Sequence, residues 1–128
     1  MLPGKARLRS SRDFRALYAR ARSYKAPHLV LYVRPARPQA EAANAAGRAP
    51  LRIGFSISKK VAKKAHERNL LKRRLREITR ITILPIVRDE RLFDAVVVAR
   101  SAAPAAEYVT LSQEMVSLFS QAGVIDRG

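Results

Sequence analysis

The spacing of apolar and polar residues changes period several times along the chain, and each change marks an element. From 51 to 58 (LRIGFSIS) the alternation is strict, with Leu51, Ile53, Phe55 and Ile57 on one side and Arg52, Gly54, Ser56 and Ser58 on the other. This predicts a half-buried strand whose open face carries small side chains, so that a bulky ligand can approach the backbone. Residues 29–34 (LVLYVR) are β-branched and aromatic and run into Pro35, which predicts a second strand with Tyr32 on the opposite face from Leu29, Leu31 and Val33. Residues 94–99 (DAVVVA) read as a buried strand. Three segments carry helical spacing. In 10–21, Ser10 and Asp13 have capping-box spacing, and Phe14, Leu17, Tyr18 and Ala21 share a face. In 66–83, which ends before Pro85, the inward stripe is Leu71, Leu75, Ile78 and Thr82. In the third, which Pro104 starts, Tyr108, Leu111, Met115, Leu118 and Phe119 form the stripe and Gly123 the stop.

The stretch 35–50 is rich in Pro and Ala, with no large apolar residue. It reads as a mobile loop between two strands, with an Ala-rich helical turn as the alternative. Residues 123–128 read as a tail. The resulting order is α, β, β, a basic helix, β, α, with room for one more strand: helices packed on a small sheet, α+β or α/β, as one domain over 1–128.

Composition sharpens this picture. The 128 residues include 26 Lys and Arg against 10 Asp and Glu, a net charge of +16, with no Cys and no Trp. The absence of Cys excludes disulfides and thiol chemistry. No apolar run reaches the roughly 18 residues of a membrane span, and the start of the chain lacks the apolar core of a signal peptide, so a cytoplasmic protein is expected. The charge is segregated. Residues 1–25 carry +7, 26–58 carry +3, 59–80 carry +8, and 81–128 carry −2. Such blocks call for a polyanion, and nucleic acid fits better than a membrane, whose basic helices need a large exposed apolar face that is here required for a core.

The densest chemistry lies in SISKKVAKKAHERNLLKRRLRE, Ser56 to Glu77. Asn69, Lys72, Arg73, Arg76 and Arg80 line one side of the expected helix at three- and four-residue spacing. Guanidinium forks match phosphate oxygens, lysines add point charge, and Asn69 adds a donor and an acceptor. A solvated charged face, with Glu77 bonding back to Arg73, is the bland alternative, and ten cations in the 22 residues 59–80 weigh against it. Elsewhere the chemistry is sparse. His28 and His66 have no third ligand at metal spacing, Asp89 and Glu90 sit in an expected loop, and Ser56 and Ser58 have no base beside them. No residue is assigned a catalytic role. Phe14 and Tyr18, one helical turn apart, are on periodicity alone better read as core, and Phe55 shares the core face of Ile53 and Ile57.

These residues resemble the protein subunit of bacterial ribonuclease P, whose pattern is roughly R-[IV]-G-[FL]-S-[VI]-S-K-K, a spacer, then R-N-R-x-K-R-x-x-R-E. The chain has Arg52-Ile53-Gly54-Phe55-Ser56-Ile57-Ser58-Lys59-Lys60, then Arg68-Asn69-Leu70-Leu71-Lys72-Arg73 and Arg76-Glu77. Arg7-Leu8, Asp13-Phe14, Leu29 to Val33 and Asp94 to Arg100 extend the resemblance over nearly the whole chain outside 36–50 and the ends. Leu70 stands where the family has a second Arg, one cationic contact fewer, and Ala21 where Gly is frequent.

The resemblance implies an αβββαβα two-layer α+β sandwich with a small mixed sheet and a left-handed crossover around the basic helix, of the kind found in a domain of a ribosomal protein. It implies an accessory subunit that helps remove the 5′ leader of precursor tRNA while an RNA subunit, holding magnesium, performs catalysis. On this reading Arg68, Asn69, Lys72, Arg73 and Arg76 bind the catalytic RNA. Phe14, Tyr18, Tyr32, Ser56, Ser58, Lys59 and Lys60 bind the leader, because single-stranded RNA takes stacking platforms beside a positive groove. The expected partners are the ribonuclease P RNA and precursor tRNA, with no membrane and no obligate protein partner. Composition alone leaves a ribosomal or other structural RNA-binding protein open. A DNA-binding module also remains, though no helix-turn-helix spacing accompanies the basic helix.

Overall fold

In the computed structural model, residues 17, 19–35, 51–88 and 92–125 are described. The strands are β1 (Arg22–Lys25), β2 (Leu29–Pro35), β3 (Leu51–Ser56) and β4 (Phe93–Ala99), and the helices are α1 (Ala65–Ile78) and α2 (Tyr108–Gln121). The sheet order is β1-β2-β4-β3. β1 pairs with β2 and β2 with β4 antiparallel, whereas β3 and β4 are parallel. A parallel pair needs a crossover, and the chain from β3 through α1 supplies it. The architecture is therefore a two-layer α+β fold on a mixed sheet.

Alternation sorts the strands into two faces. Leu29, Leu31 and Val33 of β2, Leu51, Ile53 and Phe55 of β3, and Phe93, Ala95, Val97 and Ala99 of β4 pack against Leu71, Leu75 and Ile78 of α1 and Leu111, Met115, Leu118 and Phe119 of α2. Both helices thus cover one side. On the other side a small second cluster sets Leu17 on Val96, with Ala21, Tyr32 and Val98 around it. Leu17, Ala19 and Arg20 have helical backbone. The rest of the expected 10–21 helix, including Ser10, Asp13, Phe14 and Tyr18, lies outside the described residues, as do 36–50.

β1 is the additional strand for which the sequence left room. It is short, polar and at the sheet edge, where cations such as Arg22 and Lys25 discourage pairing with another chain. The turn after it is held to α2. The His28 backbone N–H donates to Glu114 Oε1 at 3.0 Å, and its Nδ1 meets Oε2 of the same carboxylate. The Arg100 guanidinium donates to the Ala26 carbonyl at 3.0 Å, fixing the same corner. His28 is thus a structural latch.

The basic helix begins where Glu67, at its third position, accepts the Lys64 backbone N–H at 3.3 Å and caps the first turn. Regular α-helix stops at Ile78, not at 83. A π-helical turn, Thr79–Ile83, and a 3₁₀ turn, Leu84–Ile86, follow. Pro85 has no N–H to give and crowds the carbonyl four residues back, while Thr79 Oγ1 donates to the Leu75 carbonyl at 2.7 Å. The wider turn rotates the stripe: Thr79 and Ile83 are buried, and Thr82, expected inside, is half-buried.

Three further boundaries differ from expectation. Pro104 lies in a 3₁₀ turn ahead of α2 rather than at its start. Tyr108, the first residue of α2, is 42% exposed and outside the stripe, because the first turn precedes the helix's contact with the sheet. The tail does not begin at 123, since Val124 and Ile125 are buried and Ile125 bridges Val87. Gly123, at φ +75°, ends α2 in the left-handed conformation as its position suggested.

Candidate nucleic-acid interface

The end of β3 flows into a basic turn. Ser58 leaves the strand, and its carbonyl accepts the N–H groups of Val61 and Ala62 at 3.1 and 3.2 Å. Lys59 and Lys60 are exposed at this turn, as are Lys63 and Lys64. Arg68 reaches back from the first turns of α1, where its Nη1 donates to the carbonyls of Ala62 at 2.9 Å and Lys63 at 2.8 Å. Its charge remains beside the ridge, but its hydrogen bonds staple the lysine turn to the helix. The sequence reading placed Arg68 only among the phosphate ligands.

Beyond it, Asn69 and Arg73 are exposed, and Lys72 and Arg76 are half-buried along the flank. Lys72 and Arg73 have no carboxylate partner among the described residues. Glu77 pairs forward with Arg80 instead of back with Arg73, as the bland reading required. The Arg80 guanidinium holds the Glu77 carboxyl below its ordinary range, and Glu77 in turn holds Arg80 above its own. Because the folded Glu77 titrates lower than the unfolded one, its small contribution is present above the unfolded value and lost as pH falls through the folded one. Leu70 is 46% exposed, leaving an apolar gap in the ridge where the family motif has Arg.

The second surface is the sheet face away from α1 and α2. Register sets its side chains in rows across β2, β4 and β3: Val30, Val98 and Ser56; Tyr32, Val96 and Gly54; Arg34, Asp94 and Arg52. Tyr32 is half-buried on the small Leu17–Val96 cluster, and Ser56 is half-buried at the strand end. Ser58, Lys59 and Lys60 stand just beyond that end. Phe14 and Tyr18, the other two aromatic candidates, lie outside the described residues. The structure therefore brings Tyr32, Ser56 and the lysine turn to one trough, and α1 borders the turn.

The third row was not foreseen. Asp94 is 2% exposed and takes Arg52 in a two-pronged pair, Nε to Oδ1 at 3.0 Å and Nη2 to Oδ2 at 3.1 Å. Arg34 approaches the same carboxylate at 3.6 Å. Two guanidiniums on one carboxylate leave the end of the trough cationic and rigid. The available signal was an acidic residue opening an otherwise apolar strand, in phase with an arginine on the alternating strand.

Among the described residues no group of three His, Asp, Glu or Cys side chains converges as a metal site, and Asp94 is already committed to two arginines. The described donors therefore do not fit a resident magnesium ion. No described helix is long and apolar enough to cross a membrane.

Comparison with known proteins agrees with the motif. The family model described as Ribonuclease P matches residues 2–123. A ribonuclease P protein component from Cyanothece sp. is 37% identical over 131 residues, covering 98% of each chain. One from Clostridium kluyveri is 32% identical, covering 92% of this chain and 95% of its own. The solved ribonuclease P protein of Thermotoga maritima superposes with a TM-score of 0.70 at 27% identity, over 90% of this chain and 96% of that one. The Staphylococcus aureus protein gives 0.74 at 23% identity, over 94% and 98%, a likeness of fold.

Proposed function

The chain belongs to the ribonuclease P protein family, and from that premise we propose that its two cationic surfaces divide the work between two RNAs. It is a protein subunit of ribonuclease P, the endoribonuclease that matures tRNA 5′ ends, and the catalytic centre of that enzyme lies in RNA. The ridge of Arg68, Asn69, Lys72, Arg73 and Arg76 holds the catalytic RNA. The trough of Tyr32, Ser56 and Ser58 with Lys59 and Lys60, completed by Phe14 and Tyr18, holds the leader of precursor tRNA. The observation that carries this reading is the placement of Lys72 and Arg73, without carboxylate partners among the described residues, beside a lysine turn that continues from the trough strand.

The chain's chemical contribution is electrostatic and positional. Positive charge beside two polyanions lowers their mutual repulsion, so the RNA subunit holds its magnesium at lower concentration. The leader trough gives precursor a contact that mature tRNA lacks. This reading places the protein in the cytoplasm and asks for no obligate protein partner.

Four or five phosphate contacts give log K against log salt a slope of about −3 to −4 for the catalytic RNA. Changing Lys72 and Arg73 together to Ala makes that slope shallower by about 2, measured by filter binding from low to moderate salt. A double variant with the wild-type slope refutes the ridge assignment. Tyr32→Ala weakens binding of precursor tRNA to the reconstituted holoenzyme by about 1–3 kcal/mol if the ring stacks on a base. Mature tRNA binds as before. Equal losses for both substrates overturn the trough assignment.

A further inference from the structure

The turn between β3 and α1 gathers like charges. Lys59, Lys60, Lys63, Lys64 and Arg68 stand there against one acidic residue in the same stretch, Glu67. All four lysines are exposed, and cations this close repel one another. The backbone beneath them is nevertheless tied at three points. The Ser58 carbonyl holds the N–H groups of Val61 and Ala62, and Glu67 holds that of Lys64. The third tie is Arg68, whose Nη1 donates to the Ala62 carbonyl at 2.9 Å and the Lys63 carbonyl at 2.8 Å. Both carbonyls lie ahead of α1, where no helical N–H reaches them.

One nitrogen on two successive carbonyls fixes the peptide planes after residues 62 and 63 relative to the helix. Ala62 is buried and Val61 packs on the main core, so the inner side of the turn is anchored by apolar contact. Arg68 anchors the outer side. Lys59 and Lys60 precede this anchored pair, and Lys63 and Lys64 follow from it. A lysine is a point charge on a flexible stem, so the region its charge samples is set by where its backbone is held. A neutral donor at position 68 would satisfy the carbonyls without adding to the repulsion. The guanidinium makes stronger, charge-assisted bonds, and it stands in one helical row with Lys72 and Arg76.

We propose that Arg68 is a positioning residue for the leader, holding the lysine turn in the one arrangement that aims Lys59 and Lys60 at the trough. The inference deepens the reading of those two lysines as leader ligands and rests on it. Without the staple the lysines keep their charge but sample more directions, and the lost order has to be regained on binding. That cost falls on precursor tRNA, since mature tRNA has no leader to meet the turn. It is separate from the part Arg68 plays on the ridge, because its Nη1 is already committed to backbone.

The test uses the holoenzyme, assembled at saturating protein so that the ridge is fully occupied, and reads the ratio of precursor to mature tRNA affinity. Lys59→Ala with Lys60→Ala lowers this ratio. A wild-type ratio overturns the leader reading of the turn, and the positioning role with it. Arg68→Ala also lowers the ratio several-fold; a wild-type ratio here, with the lysine pair responding, overturns the positioning role alone. Adding Arg68→Ala to the lysine pair lowers the ratio no further, because the groups it aims are gone. Losses that multiply make Arg68 a direct leader ligand and overturn the proposal. Amide exchange of the free protein gives a second measurement. In Arg68→Ala the Val61 and Ala62 amides exchange several-fold faster, while the amides of β4 keep their protection and report an intact fold. Unchanged protection at Val61 and Ala62 means that the turn holds itself, and it overturns the staple.

Discussion

Replacing Asp94 by Ala lowers the stability of the free protein by about 3–5 kcal/mol, read as a shift in the denaturant midpoint at constant slope. The carboxylate is 2% exposed in the middle of the sheet. Without it, Arg52 loses both of its hydrogen bonds to Asp94, and Arg34, whose side chain is 13% exposed, is left as a charge with nowhere to turn. The penalty is the cost of leaving those cations uncompensated, not the net worth of the ion pair. Exchanging Asp94 and Arg52 together for apolar residues of similar volume therefore costs much less than either change alone. Asp94→Asn keeps an acceptor and the shape and falls between. A wild-type midpoint for Asp94→Ala shows that Arg34 and Arg52 reach solvent without help. The same variant separates the surfaces: leader binding weakens as Arg52 swings out of its row, while the salt slope for the catalytic RNA stays put.

That row also shows where sequence pattern stops being informative. The alternation of Leu51, Ile53 and Phe55 is a local signal, since a period of two has one meaning for a strand with one buried face, and the strand is as expected. The ridge is equally local, because Lys72, Arg73 and Arg76 are neighbours by helical spacing alone. Asp94 with Arg52 is not local. The two are 42 residues apart, and their meeting depends on β3 lying parallel to β4 in a particular register. The staple from Arg68 to Ala62 and Lys63 depends on how the turn closes, which no periodicity reports. β1 is too short and too polar to announce itself; it is a strand because β2 offers an edge. The π-turn comes from Thr79 and Pro85 acting on one helix from two sides. Pro85 by itself suggests only an ending.

Leu75→Ala tests whether the ridge and its support are energetically independent. Leu75 is fully buried, on the side of α1 that faces the sheet, and its loss removes about 2–5 kcal/mol through lost burial and an unfilled cavity. For a chain of this size each kcal/mol lowers Tm by about 3–5 °C, so scanning calorimetry of the free protein resolves it easily. Leu75 touches no RNA in the proposed arrangement, so the variant's salt slope for catalytic RNA equals that of the wild type below its melting transition. Bound RNA then recovers part of the lost stability by mass action, since it binds only the folded ridge; Tm rises with RNA concentration for the variant as for the wild type. Lys72→Ala with Arg73→Ala behaves in the opposite way, changing the slope with little effect on the free protein's Tm. If Leu75→Ala also flattened the slope, the charges on the outer face would depend on the packing beneath them. α1 would then have to be treated as one cooperative unit, with no division between an apolar stripe that builds the fold and a cationic face that meets RNA.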